Sequence, residues 1–169
     1  MTISMYQSTV PVYAQGLTNL STLLKRAEAY AADKKIEPSV LINDRIYPDM
    51  FPLSRQVQIA CDVVKSGVAR LAGLEVPSFP DTETTFPELE ERIQKTIRFI
   101  QTATAAQVDG SEDKAIAIKV GGNDLSFNGQ DYLQKFVTPN FYFHIAVTYA
   151  ILRHNGVDIG KKDFLGNIQ

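Results

Sequence analysis

Four segments of this chain repeat apolar residues at alternating steps of three and four, and no other feature restricts the fold as much. That spacing draws one apolar stripe along an α-helix, and the stripe must be buried against another element. The first stripe is Tyr6, Val10, Tyr13, Leu17, Leu20, Leu24, Ala27, Ala31. Ser4 suits its N-cap, and Lys34 and Lys35 suit its C-terminal dipole. Pro11 should either kink this helix or mark its true start. The second stripe is Leu53, Val57, Ala60, Val64, Gly67, Leu71, Leu74, opened by Pro52 and ended by Gly73 and Pro77. The third is Phe86, Leu89, Ile93, Ile97, Ile100. A T-x-x-E capping box of Thr85 and Glu88 opens it, and Glu91 and Lys95 form an i,i+4 pair on its outer side. The fourth runs from about Gly129 to Asn155 through Leu133, Val137, Asn140, His144, Val147, Ile151. Pro139 should bend it and Gly156 end it.

The connections carry fewer signals. Pro38 to Asn43 suits one short helical turn, and Glu75 to Thr85 reads as a loop rich in Pro, Ser, Thr and Asp. Ile116, Ile118 and Val120 alternate with smaller or charged residues. Gly121-Gly122-Asn123-Asp124 is turn chemistry, after which Leu125 and Phe127 resume the alternation. This predicts one β-hairpin packed on the helices, since a lone hairpin is marginal. In the tail, Val157 to Gln169, Phe164 and Leu165 are docking residues. The expectation is an all-α four-helix bundle with a small β-hairpin between helices three and four, a single domain over residues 1–169. Loop lengths leave helices two and three free to run parallel or antiparallel.

Composition excludes several function classes. With 17 basic and 19 acidic residues the formal charge is −2, which argues against a basic nucleic-acid groove. One cysteine makes no internal disulfide, and two histidines with one cysteine cannot fill a four-ligand zinc site. The leading segment, Met1 to Gly16, lacks a basic start and an apolar run, so it is a poor signal peptide. The stretch Phe136 to Leu152 falls short of the roughly 20 apolar residues a membrane span needs. The expectation is a cytoplasmic protein with neither membrane nor nucleic-acid partners.

The anomaly is Asn140 and His144, two polar residues one turn apart on an apolar seam. Buried there, each unsatisfied group costs about 1–3 kcal/mol, so partners are required. They either fix bundle register through cross-helix hydrogen bonds or line a pocket or metal site. Other chemistry-bearing residues have plainer readings. Cys61 is a small core residue, His154 interacts with a helix C-terminus, and Asp49 with Arg55 forms a local ion pair. Tyr142 lies off the seam and faces a second helix or a partner chain.

The run His144-Ile-Ala-Val-Thr-Tyr-Ala-Ile-Leu-Arg-His-Asn-Gly156-Val resembles the last helix of the DinB/YfiT-like superfamily. The segments Met5-Tyr-Gln, Pro48-Asp-Met-Phe-Pro-Leu, Arg55-Gln-Val-Gln-Ile-Ala, Pro139-Asn-Phe-Tyr-Phe-His and Asp163-Phe-Leu-Gly are similar to one bacterial branch of unknown function. The resemblance implies an up-down-down-up bundle, often homodimeric. Metal-binding relatives hold a divalent metal such as Zn or Ni with three histidines, and some use it for thiol transfer. Here His144 matches one last-helix histidine and Asn140 stands where the other belongs. On helix two Gln56 occupies the third place by seam phase, with Gln58 or Asp62 as alternatives. Carboxamides are weak ligands for such metals, so the resemblance implies a degenerate metal site and no expected cofactor. Two functions stay open. One is a small-molecule-binding or non-catalytic homodimer with its pocket at Asn140, His144, Gln56, Asp62 and Tyr142. The other is a metal-dependent enzyme built around His144.

Overall fold

Each helical stripe starts and stops where its punctuating residues allow. The computed structural model describes residues 3–167. Met1, Thr2, Ile168 and Gln169, the outermost residues of the leading and tail segments, lie outside the described residues. Helix α1 spans Val10–Lys34 with Pro11 in its first turn, so Pro11 marks the true start and makes no kink. Ser4 instead caps the turn before it, its Oγ accepting the Gln7 N–H at 3.2 Å. Lys35 stops α1 in the left-handed conformation, φ 56°, and the Ile36 N–H donates to the Ala31 carbonyl at 2.8 Å. A short α2 spans Pro38–Ile42, and α3 runs Leu53–Ala72 to a left-handed Gly73. Helix α4 spans Phe86–Ile100 and opens on the expected capping box. A one-turn α5 follows at Ala105–Val108.

Strands β1, Ile116–Val120, and β2, Asn123–Phe127, pair antiparallel. Asn123 and Asp124 belong to the strand, opposite Val120 and Lys119, which narrows the turn to Gly121-Gly122. Both glycines have positive φ, 56° and 85°, as a tight hairpin turn requires. Ile116 and Ile118 are buried, which seats the hairpin on the helices.

The fourth segment is not one regular helix. It comprises α6 at Gly129–Asp131, a π-helical stretch at Tyr132–Val137 and α7 at Thr138–His154. Pro139 has no N–H for the carbonyl one turn back, and the wider winding before it absorbs that loss. One inserted residue rotates everything downstream by about 100°. The expected seam therefore breaks at Asn140. Phe141 is fully buried in its place, while Asn140 is half-buried. A final short helix, α8, spans Lys161–Leu165.

The chain is mostly helical, with its core between the long helices. Helix α1 packs on α4, α4 on α3, and α3 on α7. Tyr13 of α1 meets Phe141 of α7 edge-on at 5.2 Å and hydrogen-bonds Thr138 at 2.8 Å. Gly67 of α3 lets Val137 approach: a Cβ there would lie 2.7 Å from Val137 Cγ1. Two details of α4 differ from expectation. Arg92 and Thr96 are buried while Ile97 is half-buried, because α4 turns a wider face inward than one apolar stripe. Lys95 does not pair with Glu91 but sits over the Phe79 ring, 4.1 Å from its centroid. Among the described residues no helix is long and apolar enough to cross a membrane.

Candidate functional site

His144 lies on the inner face of α7 with 7% of its surface exposed. Across the core, α3 presents Gln56, which is 2% exposed. His144 Nδ1 and Gln56 Oε1 are 2.7 Å apart, and Gln56 Nε2 donates to the Phe51 carbonyl at 2.9 Å. The second bond decides the first. A carbonyl only accepts, so the amide nitrogen must point at Phe51 and the amide oxygen at His144. His144 then carries its proton on Nδ1, which leaves a lone pair on Nε2. Among the described residues Nε2 has no hydrogen-bond partner of its own. Burial, with the nearby Arg55 charge in second place, pushes the imidazole from 6.5 down to about 4. At neutral pH this is a neutral, oriented hydrogen-bond acceptor.

The surroundings of the imidazole are mixed. Arg55 lies 5.9 Å from the Phe51 ring centroid, and the Phe143 ring meets the imidazole edge-on at 5.2 Å. Phe51, Phe143 and Tyr47 are all exposed. Arg55 does not pair with Asp49 as expected. It pairs with the Asp81 carboxylate and donates to Gln58 Oε1 at 3.3 Å. The 75–85 loop passes beside α3 there and offers the nearer acid.

Of the residues expected to form one pocket, the structure brings together Gln56 and His144, with Asn140 one turn away. Asp62 is elsewhere. Its Oδ1 holds Lys65 Nζ at 2.7 Å and Arg92 Nη2 at 3.0 Å. Gln58, the other alternative, donates to Glu83 Oε2 at 3.0 Å. Tyr142 points into a groove between α1, α7 and α8 that His144 does not line. The helical rotation explains the separation, since residues 142 and 144 are about 200° apart around α7.

A second polar cluster surrounds Arg92, whose side chain is 1% exposed. Its guanidinium meets Asp62, Asp81 and Glu83 at 2.9–3.0 Å. Burial alone would weaken its hold on the proton, but the Glu83 hydrogen bond and the Asp62 and Glu83 charges more than offset that. Arg92 Nε has no partner among the described residues. The cluster pins the 75–85 loop to α3 and α4, and Arg92 also donates to the Pro80 carbonyl at 2.9 Å. Sequence reasoning missed it, although a signal existed: Leu89, Arg92, Thr96 and Ile100 share helical spacing. Cys61 is fully buried, and burial pushes its thiol up to about 12, so it behaves as a core residue. Among the described residues no three His, Cys, Asp or Glu side chains gather as a metal ion would need.

A family model described as "Domain of unknown function (DUF1993)" matches residues 5–165. The chain belongs to this family. The crystal structure of a DinB family member protein from Shewanella denitrificans is 41% identical and superposes with a TM-score of 0.87. That match covers 96% of this chain and 92% of the other. No curated protein matches the chain significantly. This DUF1993 chain is thus a DinB-family-like protein, and its candidate site rests on its own geometry.

Proposed function

We propose that this protein is a metal-free, small-molecule-binding member of its family, with the site at His144. The carrying observation is the Gln56 amide, which is bonded to the Phe51 carbonyl and to His144 Nδ1 at once. It presents Nε2 as a neutral acceptor for a ligand hydroxyl or amide N–H. Phe51 and Phe143 supply apolar surface beside it, and Asn140 a further polar group.

The divalent metal implied by the resemblance does not fit this donor set. Gln56 Oε1 already accepts the Nδ1 proton, Asn140 is a weak carboxamide ligand, and the carboxylates Asp62, Asp81 and Glu83 are bound to Arg92 in a separate cluster. One observation favours the alternative, a metal-dependent enzyme on a modified site. An acceptor on Nδ1–H that leaves Nε2 free is also how proteins orient a metal-ligating histidine. Elemental analysis after incubation with Zn or Ni separates the two. We expect far less than one metal per chain. Stoichiometric metal that is lost in His144→Ala would overturn the metal-free reading.

The family likeness and the side-chain contacts support an up-down-down-up bundle in one domain. Tyr13 with Thr138 and Tyr30 with Asn155 run α1 along α7 in the same direction. Gln58 with Glu83 and Asp62 with Arg92 run α3 along α4. The exposed aromatic surface of Tyr47, Phe51 and Phe143 supports a homodimer, which light scattering on the purified protein tests.

A further inference from the structure

We infer that the groove between α1, α7 and α8 is a second ligand site, separate from His144, for an uncharged and largely apolar small molecule. Its volume is about 370 Å³, within the range of pockets that hold small ligands. None of the ten residues that line it carries a charge, so a charged ligand would lose its hydration with no counter-charge in return. Val12, Ile145, Phe164 and Leu165 give it apolar walls, and Gln15 and Tyr142 add polar groups.

The walls are held open by specific bonds. Asn19, itself buried, accepts from Gln15 Nε2 at 2.8 Å and donates to the Phe164 carbonyl at 3.1 Å. Arg26 holds Asp163 at 2.9 Å, and Phe164 packs edge-on to Tyr149 at 6.1 Å. Gly166 lets the end of α8 press on Asn19, since a Cβ there would lie 2.1 Å from Asn19 Oδ1. So α8 is tied to α1 and α7, yet Val12, Tyr142 and Leu165 around the opening all stay exposed. Tyr142 Oη has no protein partner among the described residues, and its ring is braced against Phe141 at 5.2 Å. The combination selects a neutral ring or short alkyl chain carrying one hydrogen-bonding group for Tyr142 or Gln15.

The probe is N-phenyl-1-naphthylamine, a neutral dye that fluoresces in apolar surroundings, titrated into the full-length protein. We expect saturable binding at one dye per chain. Val12→Glu should weaken it at least tenfold, because it places a carboxylate at the rim from an exposed position that leaves the core intact. His144→Ala should leave dye binding unchanged, so failure at this groove and failure at the His144 site are read apart. Non-saturable binding, or a Val12→Glu protein that folds and binds the dye as wild type does, overturns the proposal. A Val12→Glu protein that changes from dimer to monomer also overturns it, because a second copy of the chain would then be the natural occupant.

Discussion

Replacing Gln56 by leucine tests the central contact of the site. The leucine side chain is apolar and one atom smaller, and the variant leaves the His144 Nδ1–H and the Phe51 carbonyl without their 2.7 Å and 2.9 Å partners. An unsatisfied buried polar group costs about 1–3 kcal/mol. Two such groups, offset by about 1–2 kcal/mol from burying an apolar side chain, leave a net loss of roughly 2 kcal/mol. For a chain of this length that lowers Tm by about 4–8 °C. Urea unfolding followed by circular dichroism measures the difference at 25 °C. The double variant Gln56→Leu/His144→Leu removes both ends of the bond, so it should be at least about 1 kcal/mol more stable than the two single losses summed. A Gln56→Leu protein within about 0.5 kcal/mol of wild type, or a double variant that is simply additive, would refute the claim that this pair is a matched buried bond.

Other outcomes follow from the same geometry. His144 holds its proton less tightly when folded, so the unfolded chain takes up more protons between pH 6.5 and about 4. Its contribution is complete above pH 6.5 and declines as pH falls toward 4, by at most about 3 kcal/mol, a dependence that His144→Leu should remove. Arg92→Met leaves Asp62, Asp81 and Glu83 without their shared cation and should cost about 3–5 kcal/mol, with limited proteolysis cutting the 75–85 loop first. An Arg92→Met protein as stable and as protease-resistant as wild type would show that the cluster does not anchor the loop. Gly67→Ala drives a methyl into Val137 and should cost about 1–3 kcal/mol, with Val137→Ala in the same chain restoring part of it.

The local rules that the sequence states openly hold in the fold. Stripes at three-and-four spacing became α1, α3 and α4, the Thr85–Glu88 box opens α4, and Gly73 closes α3. Such features depend on residues within one turn of each other, so the chain itself contains everything needed to read them. Gln56 was legible as a neighbour of His144 only through the family resemblance, which left Gln58 and Asp62 as alternatives, and the 2.7 Å contact singles it out. Asn140 was misplaced because Pro139 acts at a distance of one turn. The π-helical stretch it imposes rotates α7, and a regular repeat counted along the sequence does not register the shift.

What only the tertiary structure decided involves groups far apart in the chain. Arg92 looks like a surface residue until the 75–85 loop brings Asp81 and Glu83, and α3 brings Asp62, around its guanidinium. Tyr142 and His144, two residues apart, serve different faces because α7 turns by about 100° per residue. The groove at Tyr142 exists only where α8 returns to α1 through Asn19, 145 residues from the Phe164 carbonyl it holds. Periodicity determined most of the apolar residues that are buried, but not Arg92, Thr96 or Phe141. Which buried polar group meets which partner was settled by where the helices cross, and the chemistry of the candidate site follows from those crossings.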